Sequence, residues 1–208
     1  VMRISADRLW SSGYNFLKIH SVIDENSRFY NILPMSYLGG LFNLGIAPLS
    51  VGASVVIDNA FSGASFLDFW QRVERFKITA LWLVPTIMRG LLELSKRINR
   101  KKYIKYPEVD VCFLGTAPIN LETKISFEEL TNIPVIENYG LSETTFISSE
   151  TIDSRLLRKQ GSVGGILPWV NVKSSKDKMT LSSDPIIVKT PSIMVGYLGD
   201  KGIDDVWF

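Results

Sequence analysis

Apolar residues recur along this chain with two different periods, and the alternation of the two predicts its architecture. RFYNIL (28–33), SVVI (54–57), TALWLV (79–84), VDVCFLG (109–115) and PVI (134–136) are short apolar runs rich in β-branched or aromatic residues. Such runs predict strands buried on both faces. Between them lie stretches with helical spacing. Ser5 is placed to cap a helix carrying Leu9, Trp10, Tyr14 and Leu17. LGGLFNLGIAPLSVG (38–52) is almost wholly apolar and has the length of a buried helix, with Gly52 as its stop. Glycines 39, 40 and 45 weaken that helix and point to close packing or a ligand. Ser65 is placed to cap FLDFWQRVERF, where Phe66, Phe69, Trp70, Val73 and Phe76 share a face. Pro85 opens PTIMRGLLELSKRI, with Ile87, Leu91, Leu94 and Ile98 at helical spacing, and Asn120 caps LETKISFEEL. Five strands alternating with helices predict an α/β fold, a parallel sheet flanked by helices.

The texture changes beyond Gly161. GSVGGILPWVNVKSS, MTLSS and PIIVKT are short β-like pieces punctuated by glycine, proline and serine, with no helical stretch between them. They predict part of a small β-barrel-like subdomain attached to the sheet. The expected division is an α/β subdomain over 1–155 and a partial β subdomain over 156–208, with the boundary in the polar segment 151–160.

Composition narrows the function more than the fold. The net charge of +2 gives no electrostatic case for nucleic acid or an anionic membrane. A single cysteine, Cys112, excludes an internal disulfide and reads as a buried strand thiol. With one histidine, His20, a His/Cys zinc site is not expected, and His20 itself reads as structural or exposed. The aromatics Trp10, Phe69, Trp70 and Trp82 read as core. The basic run Lys96, Arg97, Arg100, Lys101, Lys102 and Lys105 reads as a solvated surface loop. No leader pattern or apolar run of membrane-spanning length occurs, so the expected setting is cytoplasmic.

The chemistry concentrates in PVIENYGLSETT (134–145). An apolar strand turns there into an aromatic, a glycine, a hydroxyl and a carboxylate. At the carboxyl end of a parallel strand that order suits a nucleotide: Tyr139 on the base, backbone close at Gly140, Ser142 on phosphate, Glu143 on Mg²⁺. Taken alone, the same dodecamer also reads as a strand followed by a polar turn.

Three segments in order separate these readings: LPMSYLGGL (33–41), FLGTAPINLE (113–122) and ENYGLSETT (137–145). GSVGGILP (161–168) and IIVKTPSIMVGYL (186–198) follow. Together they resemble the adenylate-forming (AMP-binding) superfamily, which includes acyl-CoA synthetases, firefly luciferase and the adenylation domains of peptide synthetases. The resemblance covers essentially the whole chain. It implies an enzyme that activates a small carboxylic acid with ATP and Mg²⁺ as an acyl-adenylate and passes the acyl group to CoA. By that resemblance Tyr139 stacks on adenine, Asn138 lies beside the base, and Ser142 binds phosphate oxygens. Glu143 coordinates Mg²⁺, Gly115, Thr116 and Ala117 line the adenine and the mouth of the acid pocket, and Gly140 lets the backbone come close to the nucleotide. Tyr37, Gly39 and Gly40 fall at the acid pocket, Tyr37 where many members carry a histidine or another aromatic as a gate. Peptide-synthetase domains carry an aspartate at the start of that segment, and Met35-Ser36-Tyr37 has none, which implies an acid without an α-amine.

The family's Ser/Thr/Gly-rich phosphate loop, its Thr-Gly-Asp ribose segment and its C-terminal domain with the catalytic lysine have no counterpart here. The chain is therefore expected to be an internal fragment of the N-terminal domain, inactive alone and missing the remainder of its own polypeptide. Two other functions fit the same residues: an adenylation module loading the phosphopantetheine of a carrier protein, and a non-catalytic α/β binding fragment.

Overall fold

The structure, a computed structural model, describes residues 2–98, 109–174 and 185–199. After the short strand β1 (Met2–Arg3) comes helix α1 (Ala6–Lys18), then β2 (Arg28–Asn31), a π-helical stretch (Gly39–Ile46) running into α2 (Ala47–Ser50), and β3 (Ser54–Ile57). Helix α3 (Ser65–Arg75), β4 (Ala80–Leu83), α4 (Pro85–Ile98), β5 (Val111–Leu114) and α5 (Leu121–Thr131) complete the alternating part. The chain then turns to strands: β6 (Val135–Leu141), β7 (Thr145–Ser149), β8 (Gly165–Ile166), β9 (Asn171–Ser174), β10 (Ile186–Lys189) and β11 (Gly196–Tyr197).

All five predicted strands lie in one seven-stranded sheet of order β3-β2-β4-β5-β6-β7-β8. The first five are mutually parallel. The sheet as a whole is mixed, because β7 and β8 join antiparallel. Chain order reverses between β2 and β4, and a crevice opens beyond the carboxyl ends of parallel strands at such a switch. β9 and β10 form a separate two-stranded ribbon, as do β1 and β11. No closed barrel is formed among the described residues, and MTLSS lies outside them.

The core is aromatic. Phe16, Phe29, Trp82 and Phe113 are fully buried, and Phe16 stacks on Phe146 with ring centroids 3.8 Å apart. Trp82 and Phe69 are buried as expected, and Trp70 packs partly buried against Phe69 and Phe127. Trp10 does not: it is 51% exposed. Helix α1 instead turns Ser12, Gly13, Phe16 and Leu17 inward. At Gly13 the helix lies directly against α2, where a Cβ would sit 2.6 Å from Ala47 Cα, and the Phe16 ring one turn on fills the core against Phe146.

Two caps match the sequence. Ser5 accepts from Arg8 N, and Asn120 accepts from Thr123 N. Ser65 differs, standing inside α3 after Ala64, with its Oγ accepting from Ser62 N. The apolar stretch from Gly39 is helical, but its first part is π-helical. Buried Asn31 donates to the carbonyls of Gly40 and Leu44 at 2.9 and 3.3 Å, which ties this wide turn to the end of β2. Gly40 has no room for more, since a Cβ there would meet Pro34 O at 2.3 Å. Gly52 ends the segment at φ +84°. Cys112 is buried, and burial pushes its thiol pKa up. Of the basic run, Lys96 and Arg97 are exposed and the rest lies outside the described residues. Among the described residues no helix is long and apolar enough to cross a membrane.

Candidate active site

The dodecamer at 134–145 is the arm of a hairpin. β6 does not stop at Ile136 but continues through Leu141, and β7 returns beside it with a bulge between Tyr139 and Gly140. Strand pairing absorbs the polar residues that a sequence reading takes for a turn. The true turn is Ser142–Thr144, which puts Ser142 and Glu143 at the tip. Gly140 is required by the pairing itself, because a Cβ there would lie 2.0 Å from Thr145 O. The partner is backbone and cannot swing aside. Gly140→Ala is therefore expected to lower the unfolding free energy by about 2 kcal/mol, the scale of overpacking. Urea unfolding checks this, and wild-type stability would overturn the steric account.

A cavity of about 320 Å³ opens between this hairpin and the carboxyl ends of the parallel strands. Ser142, Glu143, Gly140 and Asn138 border it from the hairpin, Thr116 from the loop after β5, and Tyr37 and Gly39 from the segment after β2. Seven of the sequence-predicted residues thus converge. Gly40, Gly115, Ala117 and Tyr139 do not line the cavity. Gly115 lies just behind it, where a Cβ would meet Asn138 Oδ1 at 2.9 Å, and Asn138 Nδ2 donates to Leu114 O at 3.1 Å. Tyr139 is half-buried against the edge of the core. Ala117 is exposed.

Tyr37 folds over Gly39, where a Cβ would sit 2.2 Å from the phenol oxygen. Partial burial raises the Tyr37 pKa, against the pull of the Thr116 side chain. Thr116 holds φ +75° and Thr145 φ +59°, conformations that β-branched residues rarely adopt. Backbone strain of this kind collects at functional sites. Thr145 is fixed by its hydroxyl, 2.7 Å from that of Ser12 on α1.

The remaining walls are Leu38, Phe42, Asn43, Leu141, Thr145 and Phe146, which the sequence reading did not single out. Asn43 left a signal, as the lone polar side chain within GGLFNLGIAPL. Phe42 and Phe146 left none, because they look like any core aromatic.

At the tip, Glu143 Oε1 accepts a hydrogen bond from Tyr197 at 2.8 Å, and Oε2 accepts none among the described residues. A partly exposed carboxylate at the cavity, next in the chain to Ser142, is the hard oxygen donor that Mg²⁺ takes, with one or two carboxylates completed by water and phosphate. The residues present fit that ion.

The profile of the AMP-binding enzyme family matches residues 4–198. A probable CoA ligase of Humulus lupulus is 27% identical over 184 residues, 86% of this chain and 32% of that protein. The sulfoacetate–CoA ligase of Cupriavidus necator is 30% identical over 192 residues, 91% of this chain and 36% of that one. Among solved structures, O-succinylbenzoate coenzyme A synthetase from Bacillus subtilis, in complex with ATP and magnesium, superposes with a TM-score of 0.77 at 22% identity, covering 96% of this chain and 40% of its own. ATP-bound MatB from Rhodopseudomonas palustris gives 0.74 at 25% identity, covering 94% and 38%. The chain spans about a third of the length of the curated relatives it matches. The fold matches these proteins across nearly the whole chain and the family profile runs through both the hairpin and the strands beside it; the chain belongs to the AMP-binding enzyme family.

Proposed function

We propose that the cavity is the acid- and nucleotide-facing side of an adenylation site in an ATP-dependent acid–CoA ligase. A carboxylate oxygen of the acid attacks the α-phosphorus of ATP and pyrophosphate leaves, giving an acyl-adenylate. The CoA thiol then takes the acyl group and AMP leaves. The observation that carries this reading is the convergence of Ser142 and Glu143 with Thr116 and Asn138 opposite the wall made by Tyr37, Gly39 and Phe42.

In this reading the Ser142 hydroxyl donates to phosphate oxygens and Glu143 holds Mg²⁺, which when bound offsets the charge on the phosphates. Asn138, Gly115, Thr116 and Ala117 border the base, with Tyr139 stacking on it. Gly140 lets the chain approach. Tyr37, Gly39, Phe42 and Phe146 pack the tail of the acid and keep water from the reactive anhydride. Gly40 sets the position of that wall through its contact with Pro34. The acid carries no α-amine, since Met35-Ser36-Tyr37 offers no carboxylate to hold one. CoA ligases among the relatives favour CoA over a carrier protein as the acceptor. The setting proposed is cytoplasmic, and rate acceleration comes from positioning and charge stabilisation.

The test is ATP–pyrophosphate exchange by the intact protein against a panel of acids with and without α-amino groups. Exchange is expected with an acid lacking the amine, and Glu143→Ala should reduce it about 10²-fold, the scale of losing one electrostatic stabiliser. No exchange with any acid would refute the ligase reading and leave a binding fragment. Near-normal exchange by Glu143→Ala would refute the metal role alone.

A further inference from the structure

Glu143 is held from a part of the chain far from its own hairpin. Besides the Tyr197 phenol on its Oε1, its backbone carbonyl accepts from Met194 N at 2.7 Å. Residues 193–197 thus cross the hairpin tip as a strap, and the strap is fastened at both ends. Tyr197 and Gly196 pair with Met2 and Arg3 through β1 and β11, and Val195 N donates to Arg3 O at 2.8 Å. Arg8, in the first turns of α1, donates to Ile193 O at 2.7 Å. Sequence separations of 54 and 185 residues are closed by single hydrogen bonds here. Met194 and Ile193 anchor the strap by burial, whereas its Tyr197 end is exposed. Tyr197 is 40% exposed, so its hydroxyl contributes little as packing.

A glutamate has three rotatable side-chain bonds, and a carboxylate at a hairpin tip samples many rotamers unless something fixes it. A donor on one oxygen selects the rotamer and leaves the other oxygen for a cation. Carboxylates that ligate metals are themselves held this way, and removing the holder weakens metal affinity without removing a ligand. We propose that Tyr197 is a positioning residue for the cation-binding carboxylate of Glu143, with the 193–197 strap as its mount. The inference rests on the reading of Glu143 given above.

The experiment measures, by titration calorimetry on the intact protein, the affinity for ATP with Mn²⁺ and for ATP in EDTA. The proteins are wild type, Tyr197→Phe, Glu143→Ala and the double variant. Phe keeps the ring, and the pairing of β11 with β1 runs through backbone, so the strap stays in place. Tyr197→Phe is expected to weaken Mn²⁺–ATP binding about tenfold, the lower end for lost outer partners. It should leave ATP binding in EDTA unchanged and add nothing in the Glu143→Ala background. Three results would overturn the inference: wild-type Mn²⁺–ATP affinity in Tyr197→Phe, an equal loss in EDTA, or a full additional loss on top of Glu143→Ala. Wild-type affinity in Glu143→Ala would instead overturn the metal reading, and this inference with it.

Discussion

Lys124→Met is expected to lower the unfolding free energy by about 3–5 kcal/mol at neutral pH, the cost of removing one partner from a buried ion pair. Lys124 is 2% exposed on α5, with Nζ 2.5 Å from Glu137 on β6 and 3.1 Å from Glu150 just after β7. Glu150 also receives the Glu137 backbone N–H at 2.9 Å and faces Arg158 at 3.2 Å. Arg158 continues the network to Glu128 at 2.9 Å and to Val135 O at 2.6 Å. Glu150 therefore keeps a cation when Lys124 is lost, whereas Glu137 keeps only a more distant one. Met fills the volume, so the loss reads the charge and not a cavity.

The pH dependence of that deficit has a definite sign. Burial already raises the Glu137 pKa, against the pull of Lys124. Without Lys124 it rises further. A carboxyl whose folded pKa lies above its unfolded value loses stability as pH climbs through the folded value. The gap between variant and wild type should thus be widest near neutrality and narrow in acid as Glu137 takes a proton. Urea unfolding at several pH values measures it. A deficit below about 1 kcal/mol would place this network among weakly coupled surface pairs.

The second large effect concerns His20. It is 2% exposed, its ring centroid 5.0 Å from that of Phe16 and 4.9 Å from that of Phe113, and neither ring nitrogen has a hydrogen-bond partner among the described residues. Burial lowers its pKa from 6.5 to about 4. The unfolded chain then takes up a proton near pH 6.5 that the folded state refuses until about pH 4. Stability is full above 6.5, falls as pH drops through this window, and levels off below it. The loss is about 3 kcal/mol. Because the chain has one histidine, the imidazole carbon resonance reports this group alone. It should stay in the neutral form from pH 8 to 5, and His20→Phe should flatten the acid slope. An imidazole that titrates near 6.5 in the folded protein would refute the burial argument.

His20 also shows where sequence reading stops. Between Ile19 and Ser21 at the end of a helix, nothing local distinguishes a buried imidazole from an exposed one. Two aromatic rings decided it, one of them from β5, 93 residues away. Lys124 is a similar case, since within LETKISFEEL it is one charge among several. Trp10 errs the other way: a large apolar side chain at core spacing is turned outward, while Ser12, Gly13, Phe16 and Leu17 take the inner face of α1. The strand reading of the dodecamer ended at Ile136 because polarity there follows the cavity, whereas the backbone goes on pairing with β7.

Local pattern suffices for the five parallel strands, the helices between them and the segments that converge on the cavity. Inner strands such as β4 and β5 are covered on both faces and must be continuously apolar, whereas β3, expected to be buried, lies at the sheet edge with Ile57 66% exposed. Tight backbone approach must be glycine, so it too is written locally. Long-range packing set the antiparallel extension of the sheet through β7 and β8. It alone closed the Lys124–Glu137–Glu150 network and brought Tyr197 onto Glu143. Those pairings join residues 13 to 54 positions apart, and their energy depends on distance and burial, which no local pattern carries. The hairpin tip keeps the serine and carboxylate that made it the centre of the sequence reading, and its orientation belongs to a strap near the far end of the described chain.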